Sequence, residues 1–176
     1  MKLNLEAWTD NISRALEDLR RIDFGYPISE NVVVSVSEKR DAGMLLDAEG
    51  LQLPELADFY GHCDGLRMPD IRNGYFLKSL SDLICGIRER EPTAMAGLSV
   101  DPILVIGSTG GGQRFAINRR SQAVLMLGNG FVKDRTFKAD GENVRVVASG
   151  LDVFLERILA DVEAFIADRR DHEYIS

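Results

Sequence analysis

From Ile103 to Leu127 three apolar runs follow one another closely, Ile103 to Ile106, Arg114 to Ile117 and Ala123 to Leu127, and a fourth comes at Val144 to Val147. Glycine or polar turns separate them at Gly107 to Gly112, Asn118 to Gln122 and Gly128 to Gly130. A parallel neighbour needs a crossover of about a dozen residues or more, so connections this short demand an antiparallel meander. Such a sheet must bury a face, and the chain supplies a cover directly afterwards. Leu151, Phe154, Leu155, Ile158, Leu159, Val162, Phe165 and Ile166 recur at helical spacing as one apolar stripe. Ser149 is placed to cap that helix, with Asp152 three residues on as in a capping box.

The first half reads as helices around one strand. Trp8, Ile12, Ala15, Leu16, Leu19 and Ile22 share one helical face, and Gly25 and Pro27 stop that helix. Asn31 to Val36 has the β-branched density of a strand. Residues 38–52 stay ambiguous, because Gly43 and Gly50 flank the apolar Met44, Leu45 and Leu46. Leu53-Pro54 opens a helix carrying Leu56, Phe59, Tyr60 and Cys63, and Asp64-Gly65 is expected to close it. Gly74 to Leu77 reads as a short strand, Leu80 to Ile87 as a helix, and the stretch holding Pro92, Gly97 and Pro102 as an irregular connection. The expectation is a single α+β domain over residues 1–176. It has a mostly antiparallel central sheet of about five or six strands, with N-terminal, middle and C-terminal helices packed against it.

Charge narrows the function. Of 176 residues, 21 are basic and 28 acidic, a net −7 that works against nucleic acids and anionic membranes as partners. Local basic pairs, Arg88 with Arg90 and Arg119 with Arg120, are the exceptions. From residue 152 on, seven acids face Arg157, Arg169 and Arg170, so much of the excess sits in the last helix and tail. Such a face is either simply solvated or complementary to a basic partner such as a nuclease toxin. The N-terminus lacks a signal-peptide pattern, and no apolar run is long enough to cross a bilayer. With only Cys63 and Cys85, buried free thiols in a reducing cytoplasm are the plainest reading, one disulfide the other.

Candidate chemistry is sparse. Gly107 to Gly112 invites a phosphate-binding reading, but Gln113 and Arg114 lead into a strand-like run instead of the lysine, hydroxyl and helix of a P-loop. A hairpin turn fits better. His62, Cys63 and Asp64 hold the residue types of a thiol triad, yet adjacent helical residues point about 100° apart, which favours a core thiol. His172 lies near a tail expected to fray. Asp64 and Asp70 allow either a shared ion or ordinary turn chemistry, and the latter is preferred.

Three pieces together resemble the SUKH superfamily of yeast cell-wall-assembly regulators and bacterial immunity proteins. They are Leu53-Pro54 through Asp64-Gly65-Leu66, then Ile106-Gly107 through Phe115-Ala116-Ile117-Asn118 to Val124, and then Val147-Ala148-Ser149 into Phe154 to Leu159. The resemblance runs from Leu53 to near Asp161 in the family's order. It departs at Asp64, where the family often has Asn, and over Ile87 to Asp101, which resembles an insertion. It implies helices on a central antiparallel sheet and a role in binding a protein, with no catalytic residues, no metal and no cofactor to transfer.

The segment Leu66 to Tyr75 is the candidate contact surface, because arginine and tyrosine are over-represented at interface hot spots and methionine adapts to irregular partners. Asp64, Arg67, Met68, Asp70, Arg72 and Tyr75 are the partner-binding candidates. The competing reading tucks Leu66, Met68 and Ile71 into the core. The expected function is a non-catalytic, cytoplasmic protein-binding domain, in its sharpest form an immunity protein that blocks a toxin encoded nearby. The alternative is a regulatory domain holding a small molecule between the 64–75 loop and the 107–112 glycine turn.

Overall fold

The computed structural model describes residues 2–37 and 40–175. The elements run α1 (Leu5–Leu19), β1 (Val32–Ser35), α2 (Ala42–Ala48), α3 (Pro54–His62), β2 (Cys63–Met68), β3 (Tyr75–Leu77) and α4 (Leu80–Cys85). A π-helical turn (Gly86–Arg90) follows, then β4 (Ala94–Ala96), β5 (Val100–Ser108), β6 (Arg114–Asn118), β7 (Val124–Leu127), β8 (Val132–Lys133), β9 (Thr136–Lys138), β10 (Val144–Ala148) and α5 (Leu151–Ile166). The class is α+β.

The main body of the sheet is antiparallel throughout, in the order β1-β2-β3-β5-β6-β7-β10. Among the described residues ten strands form in place of five or six. Three of the additional strands are very short: β4 pairs with the start of β5 and runs parallel to β9, and β9 pairs with β8. This parallel pair forms within the stretch expected to be an irregular connection, where Ala94 to Ala96 lie beside Thr136 to Lys138. The Arg135 guanidinium ties it down, donating to the Glu91 carbonyl at 3.0 and 3.1 Å and capping the carbonyl ends of the π-helical turn.

The remaining difference is at Cys63. The helix expected to end at Asp64-Gly65 ends at His62, and the chain passes straight into β2, between β1 and β3. Gly65 does adopt a positive φ of +95°, but inside the strand; a Cβ there would stand 2.5 Å from the Leu77 carbonyl oxygen. The glycine permits close strand approach rather than a helix cap. Ser149 likewise does not cap α5: the cap residue is Gly150, without a side-chain bond, and Asp152 instead accepts from the Leu3 N–H at 2.9 Å. In the ambiguous 38–52 stretch, Asp41 caps α2 by accepting from the Met44 N–H at 2.9 Å. Glu38 and Lys39 lie outside the described residues.

Alternation along the strands sorts side chains between two cores. Leu104, Ile106, Phe115, Ile117 and Val124 point to the helices and join Trp8, Leu19, Phe59, Phe154 and Ile158 in a core that extends from Leu5 to Ile175. The N-terminal helix thus belongs to the main core, and the Trp8 indole donates to the Leu155 carbonyl at 2.8 Å. Ile103, Val105, Ala116, Leu125 and Leu127 point the other way, onto Phe137 of β9. The tail docks rather than frays: Ile175 is fully buried, and Asp161 meets both His172 Nε2 at 2.6 Å and the Ile175 N–H at 2.9 Å. Among the described residues, no helix is long and apolar enough to cross a membrane.

Candidate functional site

The face of the sheet away from the helices is closed on one half only. There the β8–β9 hairpin lays Phe137 over β5, β6 and β7. Across β1, β2 and β3 the same face leaves Arg67 exposed and Phe76 half-buried. Register aligns Val32, Arg67, Phe76, Ser108 and Arg114 in one cross-strand row. Their strand neighbours Leu66, Tyr75, Leu77 and Phe115 all point into the helix-side core, and the β-bulge between Val105 and Gly107 turns Ser108 outward beside Phe76.

Phe76 contributes to a recess of about 370 Å³, bordered by Val34, Asp64, Arg67, Lys78 and Ser108. Its charges are paired locally. Asp64 accepts from the Arg40 guanidinium and, at 2.8 Å, from the Leu80 N–H at the start of α4. Glu91 bridges Lys78 Nζ at 2.6 Å and Arg114 Nε at 3.1 Å. Arg67 reaches Glu30 at 3.0 Å, with both side chains more than half exposed. An exposed pair of this kind holds its partners weakly, which leaves Arg67 available to another carboxylate. The recess therefore offers mixed charge around one aromatic ring.

The six residues singled out in sequence separate. Arg67 lies in the recess, and Asp64 lines its edge while bracing Arg40 and α4. Asp70 accepts from the Ser29 N–H at 2.8 Å and from Asn31 Nδ2 at 2.6 Å, which clamps the β2–β3 loop to the segment before β1. Met68 and Tyr75 are fully buried and cannot reach a partner in this fold; Tyr75 donates to Asp161. The core reading thus prevails for Met68, as it does for Leu66 and Ile71. Arg72 is exposed and stacks over Tyr174, away from the recess. Phe76, Lys78, Ser108 and Arg114 complete the recess and its row and are not among those six. For Phe76 the signal was present, since alternation in Tyr75-Phe76-Leu77 sends only the middle residue outward.

Other chemistry resolves locally. The glycine turn is the β5–β6 hairpin, with the Thr109 N–H donating to the Gln113 carbonyl at 2.8 Å. It touches the β2–β3 loop directly: the Gly110 N–H donates to the Asn73 carbonyl at 2.5 Å, so no gap separates them there. Cys63 is buried on a strand and its thiol is pushed up to about 12 by desolvation, while His62 turns its Nδ1 to the Asp58 carbonyl at 2.9 Å. A thiol held neutral, with no histidine against it, is a poor nucleophile. Among the described residues, no group of three or more His, Cys, Asp or Glu side chains is placed to hold a metal ion. No family model matches the chain, and no curated protein matches it.

Proposed function

We propose that the chain is a non-catalytic protein-binding domain that docks its partner across the open half of the sheet, with Phe76 and Arg67 at the centre of contact. One observation carries this: a single sheet face is sealed by the protein's own Phe137 on one half and presents an aromatic ring beside an arginine in a concave recess on the other. Aromatic and arginine anchors in recesses dominate protein interfaces. The sharper form of the proposal is an immunity protein of SUKH type, acting in the cytoplasm on a basic toxin domain. What supports it is that the three resembling motifs fall on α3–β2, β5–β6–β7 and β10–α5, segments that pack against one another. The net −7 would steer a basic partner inward even though the recess itself is of mixed charge.

Coexpression with the product of each adjacent gene, followed by calorimetric titration of the purified pair, tests the proposal. Binding that weakens about tenfold or more in Arg67→Glu and Phe76→Ala is the expected result. Absence of binding to any neighbouring product removes the toxin version. A second reading has its own observation, because a recess of about 370 Å³ between Asp64, Phe76 and Ser108 also suits a small ligand. A metabolite that raises the melting temperature of the wild type but not of Phe76→Ala would favour it.

A further inference from the structure

A second recess, of about 380 Å³, opens where four separate segments converge. Phe24, just beyond α1, stacks on Phe165 of α5, with ring centroids 6.1 Å apart and planes 20° from parallel. Arg72, from the β2–β3 loop, holds its guanidinium carbon 4.5 Å from the centroid of the Tyr174 ring. Arg169 and Arg170 line the same recess from the turn after α5. Three aromatic rings and three guanidinium groups thus meet in one place, within a chain whose net charge is −7.

Among the residues that line the recess, three arginines stand against one acid. The acid of the recess is Asp168, whose closest approach to Arg170 is 3.8 Å, with the two side chains 85% and 90% exposed. A pair so open to water neutralises little. The walls are also fixed in advance. Tyr174 packs edge-on against His172 at 4.7 Å, His172 is held by buried Asp161, and the next residue, Ile175, is fully buried. The opposite wall is set by the Phe24–Phe165 stack.

Guanidinium groups fork onto carboxylate and phosphate oxygens, and aromatic walls accept a flat ring by offset stacking. We propose that this recess binds a small organic anion built on a flat aromatic ring, an aryl or heteroaryl carboxylate or phosphate. Its volume is that of a small-molecule site. An acidic protein would be repelled by the field of the whole chain, whereas a small ligand of one or two charges meets mainly the arginines beside it. The site shares no residue with the Arg67–Phe76 recess, and it stands whether or not that face binds a partner.

Amide chemical-shift titration of the full ¹⁵N-labelled chain tests the proposal with four probes: indole-3-acetate, indole-3-acetamide, phenyl phosphate and inorganic phosphate. At least one aryl anion is expected to give saturable shifts at Arg72, Arg169 and Tyr174. The neutral acetamide, and phosphate without a ring, should bind about tenfold more weakly or worse. Saturation by indole-3-acetate alone assigns carboxylate recognition, and saturation by phenyl phosphate alone assigns phosphate. The double variant R169Q/R170Q, with both side chains exposed, should keep the folded spectrum and lose about tenfold in affinity, and Phe24→Leu should weaken every aryl probe. Absence of saturable shifts at these amides with both aryl anions up to about 10 mM overturns the proposal, as does equal affinity for indole-3-acetamide.

Discussion

Tyr75 of β3 donates its phenolic hydroxyl to the carboxylate of Asp161 on α5, and both residues are buried. The same carboxylate takes the Ile175 N–H and meets His172, so one acid joins the sheet, the closing helix and the tail. A buried acid is tolerated only when its oxygens are matched by partners, and here Oδ2 takes two donors while Oδ1 meets His172 Nε2.

Removing the acid should therefore cost more than removing one donor. Asp161→Ala removes the carboxylate that the Tyr75 hydroxyl, the Ile175 N–H and His172 all meet, and is expected to destabilise by about 3 kcal/mol. Tyr75→Phe leaves two of three contacts in place and should cost about 1–2 kcal/mol. Urea denaturation of both variants and their combination gives the coupling, which should exceed about 1 kcal/mol. Additive effects would mean that the contact does not hold sheet and helix together.

The tail depends on the same cluster. Ile175 is fully buried, Arg145 donates to its carbonyl, and Arg72 covers Tyr174. Ile175→Ala should lose about 2 kcal/mol, the lower end of the range for a buried isoleucine, because the irregular segment that carries it can relax into the space left. Hydrogen exchange should show the Ile175 amide protected in the wild type and released in the variant. Exchange at the unprotected rate in both would mean a free tail.

Gly65 makes a sharper case. Its φ of +95° suits glycine, and an added Cβ would press on the backbone carbonyls of Leu77 and Lys78 at 2.5 and 2.7 Å. Backbone cannot swing aside as a side chain can, so β2 and β3 would have to part. Gly65→Ala is expected to destabilise by about 2–4 kcal/mol, read from the shift of the urea midpoint at unchanged slope. A change below about 0.5 kcal/mol would contradict the close approach.

Gly65 also shows why part of the fold was hidden in the sequence. Asp-Gly after an apolar helix is the pattern of a helix end, and the local pattern cannot distinguish that from a glycine admitted for strand approach. The helices α1, α3 and α5 were legible because long apolar stripes repeat with helical period. The strands Val132–Lys133 and Thr136–Lys138 are too short to show alternation, so β8 and β9 have no signature. Arg67 was visible as a residue type suited to contact. The row that gives it Phe76, Ser108 and Arg114 as neighbours is a product of register among strands far apart in sequence, which no local window contains.

The two thiols should differ in reactivity by a large factor. Cys85 is exposed, while desolvation pushes buried Cys63 up to about 12 from an ordinary 9.0. At pH 8 that leaves about a thousandfold less thiolate at Cys63, before access is counted. Iodoacetamide followed by mass spectrometry should label Cys85 in the native chain and Cys63 only after denaturation. The sign for stability follows from a raised value: the contribution is fully present below pH 9 and declines as pH climbs from about 9 to about 12, because only the unfolded chain ionises there. Replacing Cys63 with Ala should lower stability at neutral pH through the lost packing and flatten this alkaline decline. Equal alkaline slopes in the two proteins would remove Cys63 as its source.

Phe76 and Phe137 occupy the two halves of one sheet face, and they should separate stability from binding. Phe137 is fully buried against five apolar side chains, so Phe137→Ala is expected to cost about 3–5 kcal/mol. Phe76 is only half-buried; its removal exposes little new apolar surface, and Phe76→Ala should cost about 1 kcal/mol. Arg67→Glu breaks one exposed pair with Glu30 and should fall within about 0.5 kcal/mol. If the open half is the docking surface, the ranking inverts in a binding assay: Phe76→Ala and Arg67→Glu lose affinity for the partner at nearly wild-type stability, while Phe137→Ala, under conditions where it stays folded, binds normally. Affinity that instead follows stability across the three variants would show that the open half has no special part in recognition.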